Sequence, residues 1–385
     1  MVIMSAGLQR EEVLFMGKTV SAVIFEGSQP KSKVEEMMVR VRQAALLDNL
    51  EKMNHVPSLD RIYLYTNRPE LVDPAKNLGA EVSLNSTAAD DFHFGRELQA
   101  AIKEHDLDRV FCLNGAGSPL IKIEEINMIC HKLLNSEQFV YTNNTQSVDL
   151  IAFTVPEEIE RVELPAMDNS LAMTLRDQLG LSMELMPHTL GLLFDIDTPS
   201  DLLVLGAGPF AGPHTRAALK SLDFNYENLD QAKAVLQEEY EDIVLIGRVG
   251  APIIERLNAL LKLRLRVFSE ERGMKSLGRI ESGAVVSLLG LLIDHAGLET
   301  FFNYLARVAR CAFIDSRVLM YHYHYDFNDQ QRFLSDLGLW QEIEHPWLKE
   351  FTRLAVESPI PIILGGHSLI SGSLWALTDE LAPGN

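Results

Sequence analysis

Residues 19 to about 205 alternate short apolar runs with amphipathic stretches, and this alternation constrains the fold more than any other feature of the chain. TVSAVIFE reads as a strand and GSQPKSK as the loop after it. Val34, Met37, Met38, Val41, Ala44 and Ala45 then recur at helical spacing. DRIYLYT is expected as a second strand and AEVSL as a third. A helix from about Phe92 to Glu104 leads into a strand at DRVFCLN, and another helix covers 123–134. Strands separated by helices are joined by crossovers, which make them parallel and cover both faces of the sheet. The expectation is an α/β chain whose first domain, 19–205, is a three-layer α/β/α, Rossmann-like structure with a mostly parallel sheet. In such sheets ligands lie beyond the carboxyl ends of the strands.

GAGPFAGP, residues 206–213, holds two prolines and three glycines and breaks the helix that DTPSDLLVL starts. A boundary is expected there, followed by a mixed α/β, helix-rich second domain over 214–385. Its reading is helices over 214–222 and 228–241, strand DIVLIGRVG, helix 251–262, strand RLRVFSEE, apolar helices over 284–309 and a late strand at PIPIILGG.

Composition removes several classes. The 385 residues are 47% hydrophobic and 23% charged, enough to bury a core and too apolar for a disordered chain. Thirty-four basic against 54 acidic side chains give a net charge of −20, which argues against nucleic acid and anionic membranes as partners, since both need clustered cations. Three distant cysteines, Cys112, Cys130 and Cys311, make neither a disulfide framework nor a CxxC metal site and fit a reducing compartment. The first residues carry no basic n-region, and no apolar run reaches the ~18 residues of a membrane span. A cytoplasmic protein, with homo-oligomerisation open, is expected.

Several local patterns could carry chemistry. LGLLFDIDTPSDLLVL reads as a strand ending at Asp195 and Asp197, then Thr198-Pro199 and a helix with Asp201 in its first turn. Carboxylates at i and i+2 of a strand share a face and could both reach one Mg²⁺; the plainer alternative is that Thr198 or Asp201 caps the helix. Gly27-Ser28-Gln29-Pro30-Lys31-Ser32-Lys33 joins a strand to a helix and suits phosphate as well as it suits a surface loop. Asn114-Gly115-Ala116-Gly117-Ser118-Pro119, after DRVFCL, lets a ligand approach backbone amides or is a tight turn. Arg272 and Arg279, in SEERGMKSLGR, could fork onto a carboxylate or phosphate, or pair with Glu270 and Glu271. Asp315 and Arg317 suit either a buried pair or a ligand clamp. On a strand, His322 and His324 would share a face and could bind metal with Asp326, though a half-exposed histidine-tyrosine edge is the more ordinary arrangement. Gly365-Gly366-His367-Ser368 reads as a turn at a helix start, plain or anion-binding.

Taken together, the first three loops resemble the nucleotidyltransferases of the A-type glycosyltransferase fold, in particular the molybdenum-cofactor guanylyltransferase-like and phospholactate guanylyltransferase-like enzymes. The resemblance covers about residues 19–205. Its specific part is the (Asp/Asn)-x-(Asp/Asn)-Thr-Pro-x-Asp-Leu motif, matched by Asp195, Asp197, Thr198, Pro199, Asp201 and Leu202. It implies a nucleotide loop at Gly27, Ser28, Lys31 and Lys33, further nucleotide contacts at Asn114, Gly115 and Gly117, and Mg²⁺ on Asp195 and Asp197. The implied partners are a nucleoside triphosphate and a small phosphorylated or acidic metabolite, and the implied reaction is nucleotidyl transfer. Two departures stand out: the glycine-rich signature is reduced to EGSQPKSK without arginine, and Gly117 occupies the place of the aspartate two residues before Pro119. A catalytically silent nucleotide- or metabolite-binding protein and a metal-dependent glycosyltransferase are the alternatives.

Overall fold

The computed structural model describes residues 18–84, 92–115, 118–145 and 148–382. They form two compact units, one of 18–29 with 46–187 and one of 30–45 with 188–382. The division falls at Pro187–His188, ahead of the glycine-proline segment at 206–213, so the DIDTPSD motif belongs to the second unit.

The first unit is built on β1 (Val20–Glu26), β2 (Leu59–Thr66), β3 (Glu81–Leu84), β4 (Arg109–Asn114), β5 (Phe139–Thr142), β6 (Leu150–Thr154) and β7 (Ser182–Leu185). The strands form one sheet in the order β3-β2-β1-β4-β6-β5-β7. Only β6 runs against the others, so the sheet is mostly parallel, as the strand-helix alternation predicts. All seven residues of β1 are buried, and five of them, Val20 and Ala22 to Phe25, are apolar rather than alternating with polar ones. Val23 and Phe25 pack with Phe94, Leu98, Leu171 and Leu175. Helix α1 (Lys33–Met53) begins in the second unit and ends in the first. It is followed by α2 (Pro69–Asn77), α3 (Phe94–Glu104), α4 (Ile123–Leu134) and α5 (Leu171–Leu179).

The second unit continues with α6 (Leu190–Leu193), α7 (Pro199–Ala207), α8 (Pro213–Lys220), α9 (Glu227–Gln237), β8 (Asp242–Gly247), α10 (Ala251–Leu260) and β9 (Arg264–Ser269). Then come α11 (Leu288–Ala296), α12 (Leu298–Val308), β10 (Cys311–Asp315), α13 (Arg317–His322), α14 (Asp329–Asp336), α15 (Pro346–Val356), β11 (Ile362–Gly365) and α16 (Leu374–Leu381). Its four strands are all parallel, in the order β11-β10-β8-β9. Val244, Ile246, Ala312, Ile314, Ile362 and Leu364 supply the strand side of a core that Phe301, Phe302 and Phe351 fill from the helices.

Two expectations fail here. LGLLFDID is not a strand: Leu190–Leu193 form a helical turn, and the chain through Asp195 and Asp197 has no sheet partner. The i, i+2 argument for two carboxylates on one strand face therefore does not apply. Nor do His322 and His324 lie on a strand. β10 stops at Asp315, buried Val318, Leu319 and Met320 are consecutive on α13, His322 ends that helix, and His324 sits at φ 55°. The proposed metal site with Asp326 loses its geometry.

Candidate functional site

In the first unit the strand order reverses between β1 and β4. The chain leaves β1 toward β2, while β4 borders β6 on the other side, so the loops at their carboxyl ends diverge. These are the loops that begin at Gly27 and Gly115. Phe25 is in register with Asn114, the last residue of β4, and the Gly115 N–H donates to the Phe25 carbonyl at 2.7 Å. Gly115 has φ 62°, a left-handed conformation that glycine adopts without penalty. The Ser28 N–H donates to Asn67 Oδ1 at 3.2 Å, and a side chain at Gly27 would meet that oxygen at 3.4 Å. Gly27, Ser28, Asn114 and Gly115 are thus brought to one end of one strand pair. Gly117, the departure from the family pattern, lies outside the described residues.

Sequence reasoning missed what anchors the second of these loops. Asn49 and Lys52 project from the last turns of α1. Asn49 Nδ2 donates to the Ser118 carbonyl at 3.3 Å, and Lys52 Nζ donates to the Pro119 carbonyl at 2.8 Å and to Asn49 Oδ1 at 3.0 Å. Burial lowers the Lys52 pKa, partly offset by Asp48 and Glu125. On the sequence both residues look like the polar face of an amphipathic helix.

Lys31 and Lys33 are exposed and fall in the second unit. The helix start that they flank already has an anion. Glu35 accepts from the Lys31 N–H at 2.8 Å and from Ser32 Oγ at 2.8 Å, while its own N–H donates to Ser32 Oγ at 3.3 Å. This Ser-x-x-Glu arrangement satisfies the Lys31 and Glu35 amides and places a carboxylate at the helix start, where a phosphate would otherwise sit.

The late motif is a structural fastening. Asp201 is fully buried in the first turn of α7. Its Oδ2 accepts from the N–H groups of Thr198 (2.7 Å) and Asp197 (3.0 Å) and from the hydroxyls of Thr198 (3.1 Å) and Ser368 (2.7 Å). Its Oδ1 accepts from Ser373 Oγ at 2.6 Å. Burial pushes the carboxyl up to about 6 even though the two serine hydroxyls pull it down. Ser200 Oγ adds a bond to the Leu364 carbonyl of β11 at 2.5 Å. The capping alternative is therefore what Thr198 and Asp201 do. Asp195 is partly buried with Oδ1 accepting from the Ile196 N–H at 2.7 Å, whereas Asp197 is exposed.

The two arginines of the basic segment are engaged separately. Arg279 is bidentate to Glu271 (2.6 and 2.7 Å) and donates to the Ala284 carbonyl at 2.6 Å, so it takes the ion-pairing alternative. Arg272 is exposed, and a side chain at Gly250 would come within 3.8 Å of its Nη2. Asp315 and Arg317 belong to two buried pairs. Arg248 grips Asp315 at 2.6 and 3.1 Å, and Arg317 grips Asp336 at 2.5 and 2.8 Å. Burial drives Asp315 up, but the guanidinium of Arg248, with His367 and Arg317, outweighs it and holds the carboxyl below its ordinary range.

The chain matches no protein-family model and no curated protein. Among solved structures it is similar to a cytidylyltransferase from Leptospira borgpetersenii, at 16% identity over 49% of this chain and 85% of that one, with a TM-score of 0.36. It is also similar to a 4-diphosphocytidyl-2C-methyl-D-erythritol synthase from Anaerococcus prevotii, at 13% identity over 49% and 96%, TM-score 0.34. A nucleotidyl transferase from Methanothermobacter thermautotroptrophicus matches at 14% identity over 54% and 100%, TM-score 0.37. The α/β assignment rests on the two sheets themselves. Among the described residues, no helix is long and apolar enough to cross a membrane.

Proposed function

We propose that the first unit binds a nucleoside triphosphate at the carboxyl ends of β1 and β4 and that the protein transfers its nucleotidyl group to a small phosphorylated acceptor. The observation that carries this reading is the divergence of two small-residue loops at the point where the strand order reverses. Gly27, Ser28, Asn114 and Gly115 supply the surface against which phosphates and base would lie, and Lys31 and Lys33 are the cations that follow the β1 loop in sequence. In the reaction an acceptor phosphate oxygen attacks the α-phosphorus, a new P–O bond forms, and pyrophosphate leaves with the electron pair of the broken bond. The lysines stabilise the charge that collects on the departing phosphates.

Mg²⁺ fits the donor chemistry of Asp195 and Asp197, two hard carboxylates of which Asp197 is exposed, because Mg²⁺ on phosphates takes only one or two protein carboxylates. Both carboxylates lie in the second unit, and Mg²⁺ bound there would supply positive charge to phosphate oxygens. Asp201 is excluded from that role by its five internal donors.

Calorimetry with GTP, CTP, UTP and ATP should show binding of at least one, weakened by ~1–3 kcal/mol in the Lys31→Ala, Lys33→Ala double variant, the range for charge-assisted contacts. Absence of binding by the native protein, or equal binding by the variant, overturns the assignment. Pyrophosphate release with phosphorylated acceptors, lost in Asp197→Asn, would establish transfer. A second reading, nucleotide or metabolite binding without turnover, is favoured by the loss of the strand beneath Asp195 and Asp197, and binding without pyrophosphate release would select it. Turnover of a sugar nucleotide instead would select a glycosyltransferase.

A further inference from the structure

The second sheet has its own reversal of strand order, between β8 and β10. The chain passes from β8 through α10 to β9 on one side, whereas β10 leads on to β11 on the other. All four carboxyl ends bring chemistry to this point. β8 ends at Gly247, whose φ of 113° and close approach (an added Cβ would lie 2.4 Å from Asp315 Cβ) leave no room for a side chain. Arg248 follows and spends Nε and Nη2 on Asp315 at the end of β10. α10 then starts at Gly250 with no side chain capping it. Arg272 comes from the segment after β9 and His367 from the turn after β11.

Two of these groups lack partners. Arg272 makes no hydrogen bond or ion pair to any described residue, and the partly buried His367 imidazole makes no hydrogen bond to one. Yet the charges of Arg248, Arg272, Asp315 and Asp197 all act on that imidazole. Burial first, then Arg248, lowers its pKa to about 4, so at neutral pH it is an uncharged ring offering one N–H and one lone pair. An unpaired guanidinium, a second one anchored by a buried acid, a neutral imidazole and an uncapped helix start are matched by one kind of group: a tetrahedral oxyanion, which takes forked guanidinium donors and backbone amides together.

We propose that the carboxyl end of the β8–β10 pair binds the phosphate group of a small phosphate ester, held by Arg272, Arg248 and His367. The site stands on the second unit's own geometry and does not depend on nucleotide binding by the first.

The test is calorimetry at fixed ionic strength with inorganic phosphate, glycerol 3-phosphate and CTP as probes, on the native full chain and three variants. Glycerol 3-phosphate should bind more tightly than inorganic phosphate. Arg272→Ala, a change at an exposed side chain without partners, should weaken it at least 10-fold with an unchanged unfolding midpoint, and His367→Gln by 3- to 10-fold. Arg279→Ala, which removes an arginine already committed to Glu271, should change it less than 2-fold. No heat with either phosphate, equal affinity in Arg272→Ala, or equal loss in Arg279→Ala overturns the site. Tighter binding of inorganic phosphate than of the ester assigns it to free phosphate instead and overturns the ester. CTP binding that Arg272→Ala leaves intact reports on the first unit and separates the two sites.

Discussion

The two sheets reverse their strand order in the same way and furnish that reversal with opposite chemistry. At β1 and β4 the loops present small residues and main chain, and Glu35, in the first turn of the helix after β1, is used to cap its start. At β8 and β10 the loops present side-chain charge, with Asp315 and Arg317 buried and each gripped by a partner from a distant segment. A backbone surface suits a large, flat, multiply anionic ligand that needs close approach. A side-chain surface suits a compact anion that needs charge. One topology thus furnishes its two reversal points with different chemistry, and the two proposed sites differ in selectivity accordingly.

The sharpest way to break this contrast is at Asp201. Asp201→Ala removes the acceptor of five donors, four of them buried, and should destabilise the second unit by ~3–5 kcal/mol. All three tryptophans, Trp340, Trp347 and Trp375, lie in that unit, so tryptophan fluorescence in a urea titration reports on it alone. The midpoint should fall by fluorescence, while a Ser28→Ala control should leave it within error. Equal midpoints for Asp201→Ala and the native protein would mean that Asp201 is not the fastening described.

A smaller effect follows from its titration. The folded carboxyl is raised to about 6 against 3.8 for an ordinary aspartate, so between these values the folded state keeps a proton that the unfolded chain releases. The resulting stabilisation is complete below about pH 4 and is lost as the pH rises through about 6, an effect of roughly 2–3 kcal/mol by linkage. Asp201→Asn should remove this part of the pH dependence. An unfolding midpoint whose slope between pH 4 and 6 is the same in Asp201→Asn and native protein would refute the raised pKa.

How much of this was legible in the sequence depended on length and locality. β1, β2 and helices α1 and α4 declare themselves through long apolar runs or a sustained 3.6-residue period. FVYT, LIAFT and SMEL, which became β5, β6 and β7, are four or five residues long and give no period to read. LGLLFDID misleads in the other direction, because four apolar residues suit a helical turn as well as a strand. The cap formed by Thr198 and Asp201 is visible as a local Thr-x-x-Asp pattern. Its completion by Ser368 and Ser373 is not, since those residues lie 167 and 172 positions away. Sequence separation likewise hid that the charges of Arg248 and Arg272 act on His367, which tertiary structure alone could bring about.

The smallest effect is expected at Gly115, and it tests the first surface as Arg272 tests the second. Gly115→Ala places a Cβ on a residue at φ 62° and should cost ~1–2 kcal/mol if the backbone holds its shape. Because the Gly115 N–H is bonded to Phe25 at the end of β1, the chain has little freedom to relieve that strain without moving the loop. Asn49 and Lys52, which hold the Ser118 and Pro119 carbonyls, restrict it further. Nucleotide affinity should therefore fall in Gly115→Ala while glycerol 3-phosphate affinity stays as it is, because Gly115 belongs to the first unit and the proposed phosphate site is built from residues of the second. If both affinities fell together, the two ligands would share one site. If neither changed, the β4 loop would not be a binding surface, and the nucleotide would have to be sought elsewhere in the chain.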